Sequence, residues 1–169
     1  ESTEHLGYTK LSMVKKVLTC NKNSLATSFE LPALTSYYCG DKVITSDSYK
    51  ICSSNMKLFD KPMLISASLM ELLGNVSSED ITVSKGEDYI LFDTENECIY
   101  SPYNDNIDSF PIKPIEDLID SPFVSNCVVS RKSVLEILDR LSLFVSPYDK
   151  KGIYLTFTKD GIMFSSKKS

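Results

Sequence analysis

Tryptophan is absent from this 169-residue chain, and histidine occurs once, as His5 near the first residue. A single histidine with no cysteine or carboxylate at ligand spacing offers neither a metal site nor an imidazole base. Glycine is scarce: Gly7, Gly40, Gly74, Gly86, Gly152 and Gly161 are all there are. None stands in GxGxxG or P-loop spacing, so the usual backbone cradle for a phosphate is missing. The GxSxG and HExxH patterns are missing too. The five cysteines, Cys20, Cys39, Cys52, Cys98 and Cys127, are odd in number and form no CxxC pair. That argues for reduced structural thiols rather than a disulfide framework or a zinc site. No apolar run approaches the roughly 20 residues of a membrane helix, and no basic-then-apolar leader opens the chain. Asn75-Val76-Ser77 matches a glycosylation acceptor only by pattern. These absences predict a non-enzymatic, cytoplasmic protein that uses no cofactor and no membrane.

What is present fits a globular protein: 42% hydrophobic and 24% charged residues. The 18 Lys and Arg are outnumbered by 23 Asp and Glu, for a net charge of −5. This excludes a uniformly basic nucleic-acid coat but leaves room for a locally basic face, because the relevant field is local. Glu79-Asp80, Glu87-Asp88 and Glu95 with Glu97 fall in predicted turns, where carboxylates are solvated rather than catalytic.

Three segments have helical periodicity. Leu11, Val14, Val17 and Leu18 share one face of the first. Leu69, Met70, Leu72 and Leu73 mark the second, stopped by Gly74-Asn75. Val134, Leu135, Leu138 and Leu141 mark the third, with Ser130 as N-cap. Each is preceded by a short β-prone piece, Leu6–Thr9, Met63–Ser66 or Cys127–Val129, and followed by predicted antiparallel strands. The hairpin signals are Gly40-Asp41 and Lys159-Asp160-Gly161. Strand, helix, strands thus recurs three times at a spacing of about 60 residues, an α+β class with helices on one face of antiparallel sheets. A stretch from Ser101 to Pro122 carries Pro102, Pro111, Pro114 and Pro122 and reads as an extended connection between domains.

The pattern resembles the DNA-clamp fold of the bacterial sliding clamp, the β subunit of the replicative DNA polymerase. Val43-Ile44-Thr45-Ser46-Asp47-Ser48-Tyr49-Lys50-Ile51 is similar to that family's strand ending Thr-Asp-Gly-His-Arg-Leu, with Asp47 kept and Ser48, Tyr49, Lys50 and Ile51 in place of the last four. Phe110-Pro111 resembles the Phe-Pro that closes the family's middle domain, and Ser130 to Ser166 the opening of its last domain. The resemblance implies a complete clamp domain over 1–120 and the first half of the next over 121–169, a fragment of a longer chain with an uncovered sheet edge and helix face.

It also implies a function: a processivity factor that encircles duplex DNA without reading sequence and docks partner peptides. The DNA-facing candidates are Lys10, Lys15, Lys16, Lys22, Arg131, Lys132 and Arg140, flexible cations suited to phosphates. Ordinary helix solvation is the competing account of each one alone, and Glu136 and Asp139 sit beside Arg140 in sequence. The candidate near wall of a partner-peptide cleft is Leu31, Ser48, Tyr49, Lys50, Ile51, Pro111 and Ile115, although Leu31 and Ile51 read equally as core residues. The replacements at Ser48 and Tyr49 alter that surface. The family's opposite wall comes from the rest of the last domain, so this chain alone is expected to bind peptides weakly. Implied partners are double-stranded DNA, a DNA polymerase and other clamp-binding peptides, a clamp loader and a second copy in a homodimeric ring. The alternative is a stand-alone protein-interaction module with no DNA role.

Overall fold

In the computed structural model, residues 3–27, 31–145 and 152–166 are described. The chain divides into two compact units, Glu1–Ser121 and Pro122–Ser169.

The first unit starts with β1 (Glu4–Lys10), which runs without a loop into α1 (Leu11–Asn21). Next come β2 (Ser36–Cys39), β3 (Val43–Ser46) and β4 (Ile51–Ser54). The order then repeats: β5 (Met63–Ser66) leads directly into α2 (Ala67–Leu73), followed by β6 (Asp80–Lys85), β7 (Tyr89–Asp93) and β8 (Cys98–Pro102). The leading strands are exchanged. β1 heads the first repeat yet pairs with β6 of the second, and β5 heads the second yet pairs with β2 of the first. The result is two four-stranded antiparallel sheets, ordered β1-β6-β7-β8 and β4-β3-β2-β5.

The helices start where caps are available. Ser66 accepts from the Leu69 amide at the head of α2. α1 has no cap of its own, and Glu79 serves instead: its carbonyl takes the Leu11 amide, and its carboxylate takes the Ser12 amide and hydroxyl. Glu79 therefore anchors a helix rather than sitting free in a turn. At the other end of α1, the Asn21 side chain is fully buried. Its amide donates to the carbonyls of Val43 and Cys52 and to Thr45 Oγ1, and its oxygen accepts from Ser54. Satisfied in this way, a buried amide fixes the helix against β3 and β4.

Period-two alternation fills two cores from one sheet. Tyr37, Cys39, Val43, Met63 and Ile65 face a large cluster with Val14 and Val17 of α1, Met70 and Leu73 of α2, and Ile81, Val83 and Phe92 of the other sheet. Tyr38, Ile44 and Leu64 face the opposite way and join Phe110 and Ile115 in a second cluster. That second face is covered by α3 (Ile112–Ile119). The proline-rich stretch is thus not simply an extended connection. Pro111 is the N-cap and Pro114 lies in the first turn, where the missing N–H has no intrahelical carbonyl to lose.

The second unit holds α4 (Arg131–Ser142), capped by Ser130 as expected, and the hairpin β9 (Tyr154–Thr158) and β10 (Gly161–Ser165). Two apolar assignments need correction: Leu135, 42% exposed, lies off the helix face made by Val134, Ile137, Leu138 and Leu141, and Leu72 of α2 is exposed. Cys127–Val129 is not a strand. The leading strands of the first unit pair with the meander of the other repeat, and the second unit has one repeat, so this piece has no neighbour among the described residues. Residues 146–151 of the expected helix-to-hairpin connection lie outside the described residues.

Candidate docking cleft and basic helix faces

The turn from β3 to β4 is built on Asp47. One carboxylate oxygen accepts the amides of Tyr49 (3.0 Å) and Lys50 (2.9 Å), and the other pairs with the Lys50 ammonium at 2.6 Å. These bonds favour the ionised form and hold the Asp47 carboxyl below its ordinary range, led by the Lys50 contact. The tight turn puts Ser48 at φ 71°, in the left-handed region that suits glycine. It also projects Tyr49 outward, 95% exposed.

Beside this turn lies a cavity of about 470 Å³. Of the seven residues expected in a peptide cleft, Ser48, Tyr49, Lys50, Ile51, Pro111 and Ile115 line it, and Leu31 does not. Leu31 is 37% exposed at the start of the 3-10 turn Pro32–Thr35, while Leu34 of that turn takes a place in the lining. Ile51 is half-buried against the second core while also lining the cavity. Pro114 and Leu118 of α3 complete an apolar wall that residue reasoning missed. Its signal was Ile112, Ile115 and Ile119 at helical spacing, hidden by the prolines.

The basic candidates fall into two groups, one on each unit. Around α1, Lys10 pairs with Asp80 at 2.7 Å and Lys22 with Glu71 at 2.5 Å. Lys15 and Lys16 are exposed and have no ion pair among the described residues. On α4, Arg131, Lys132 and Arg140 are all exposed, and Arg140 Nε donates to the Glu136 carbonyl at 3.3 Å, with no carboxylate pair among the described residues.

The arrangement of the chain recurs in solved structures. The chain has the DNA-clamp fold. It superimposes on the DNA polymerase sliding clamp of Pseudomonas aeruginosa with TM-score 0.68 at 14% identity, over 97% of this chain and 48% of that one. For the sliding clamp of Bartonella birtlesii bound to griselimycin the values are 0.66, 18%, 98% and 50%. For the DNA polymerase beta subunit of Streptococcus pyogenes they are 0.64, 14%, 90% and 44%. The chain therefore spans about half the length of these clamps. No protein-family model and no curated protein sequence matches it. Among the described residues of this clamp fold, no helix is long and apolar enough to cross a membrane. No group of three or more His, Cys, Asp and Glu side chains among them could hold a metal ion.

Proposed function

We propose that the chain is part of a DNA sliding clamp, a non-enzymatic processivity factor that tethers a replicative DNA polymerase to duplex DNA. The observation that carries this reading is the clamp fold itself, matched over nearly the whole chain. Residues 1–121 act as a complete clamp domain and 122–169 as half of the next, within a homodimeric ring opened by a clamp loader. The exposed cations of α1 and α4 attract phosphates without reading bases, which is what sliding requires. The cleft beside the Asp47 turn takes the apolar anchors of polymerase peptides, with Leu34, Ile51, Ile115 and Leu118 as the greasy surface and Ser48, Tyr49 and Lys50 as the rim.

Topology separates this function from that of an interaction module. The complete protein, loaded on nicked circular DNA, should remain bound through gel filtration and be lost once a restriction cut linearises the circle. Equal retention on both forms would remove encirclement and leave only peptide docking.

A further inference from the structure

The fold of the first unit brings two thiols together from distant parts of the chain. Cys20 is exposed in the last turn of α1, and Cys52 is half-buried on β4, 32 positions later. Two hydrogen bonds hold these residues against each other. The Cys52 thiol donates to the Cys20 carbonyl at 3.2 Å, and the Asn21 side-chain amide donates to the Cys52 carbonyl at 3.1 Å. Asn21 is fully buried and also bonds Val43, Thr45 and Ser54, so drawing the helix end away from the strand would break a satisfied buried network. Cys20 sits one residue before Asn21 and three after Val17, at the edge of the buried face of α1. The Cys52 sulfur touches the Cys20 backbone, which leaves side-chain rotation as the movement that brings the two sulfurs into contact.

Two of the other cysteines are protected. Cys39 is 0% exposed, so an oxidant has no path to it. Cys98 donates to the Asp93 carboxylate at 2.9 Å, and that hydrogen bond leads in raising its pKa, which disfavours the nucleophilic thiolate. Cys127 belongs to the other compact unit. The position of Cys52 also matters. β4 is an edge strand paired with β3 alone, and Ile51, the residue before Cys52, lines the docking cleft.

We propose that Cys20 and Cys52 form a peroxide-sensitive thiol pair, which closes into a reversible disulfide and staples the edge strand β4 to α1. The oxidant is hydrogen peroxide or an organic hydroperoxide. The exposed Cys20 thiolate attacks one peroxide oxygen, the O–O bond breaks, and hydroxide or alkoxide leaves with the proton that the thiol gave up. Cys20 is then a sulfenic acid. The Cys52 sulfur attacks the Cys20 sulfur, the S–O bond breaks, and water leaves carrying the Cys52 proton. With hydrogen peroxide, two thiols and one peroxide become one disulfide and two waters. Where thiols are kept reduced, such a link is transient and reports oxidant exposure rather than building the fold. The inference does not depend on the clamp function.

The test treats the reduced chain with stoichiometric hydrogen peroxide and maps its peptides by mass spectrometry without reduction. A Cys20–Cys52 peptide pair should be the main disulfide. Oxidation should raise the urea midpoint by about 1–2 M, because the link constrains the unfolded chain, and dithiothreitol should reverse the shift. Cys52→Ser should abolish the link and let dimedone label Cys20 as the trapped sulfenic acid. Cys20→Ser should abolish the link as well. Exchanging Cys98 and Cys127 together for serine should leave the link and the shift intact. A main disulfide between any other cysteines, labelling of Cys98 or Cys127 in preference to Cys20, or an oxidised midpoint at or below the reduced one would each overturn the pair.

Discussion

Ser48 holds the left-handed backbone that the Asp47 turn demands, at φ 71°. An L side chain in that region costs about 1 kcal/mol that glycine does not pay. Ser48→Gly should therefore raise the unfolding free energy by about that amount in urea titration. An unchanged or lowered midpoint would mean that the greater freedom of glycine in the unfolded chain offsets the relieved strain. Asp47 gives a pH dependence whose sign follows from its depressed pKa. Its contribution to stability is complete above the unfolded carboxylate value of about 3.9 and is lost as pH falls through the lower folded value. Thermal melts across the acid range should show a downward slope there that Asp47→Asn flattens. Both residues were legible in the sequence, because the kept aspartate and the serine in a glycine's place fall within one short motif.

Among the elements, strands and helices were readable from their period, and the long-range partners that hold them were not. β1, β2, β3 and β5 to β10 fall where β-prone runs lie between turns, and α1, α2 and α4 where apolar residues recur every three or four positions. Glu79 shows what such reading misses. It looks like half of a solvated acidic pair, but it caps α1 from a position 67 residues away. α3 was hidden for a local reason, since prolines that suppress a helix interior are tolerated at its cap and first turn. Its hold on the sheet is slight, with Ile115 the only buried residue of the helix. Truncating Ile115 to alanine should cost about 2–4 kcal/mol. Because the same side chain forms part of the cleft wall, amide exchange in α3 should quicken more than in α1. Equal protection of both helices after that change would mean that Phe110, not Ile115, seats α3.

At the scale of the whole chain, the exchanged strands make the first unit a single folding body. Removing β1 leaves one edge of β6 unpaired, and removing β5 leaves one edge of β2 unpaired. The net charge of −5 then becomes a matter of placement. Lys10 and Lys22 are paired with carboxylates, and Lys15 and Lys16, between them in sequence, are not paired among the described residues. Only an unpaired cation is free to replace a counterion on a phosphate, and each one that does so adds about 0.9 to the slope of log affinity against log salt. Exchanging Lys15 and Lys16 together for alanine should therefore flatten that slope by about 2 for the DNA-bound complete protein, measured as binding to duplex DNA from 50 to 200 mM salt. Exchanging Lys10 and Lys22 should change it much less, since each would first have to break an ion pair. The reverse order, or no change from either pair, would show that this face of α1 does not meet DNA, and the acidic surface would then describe a protein that binds other proteins.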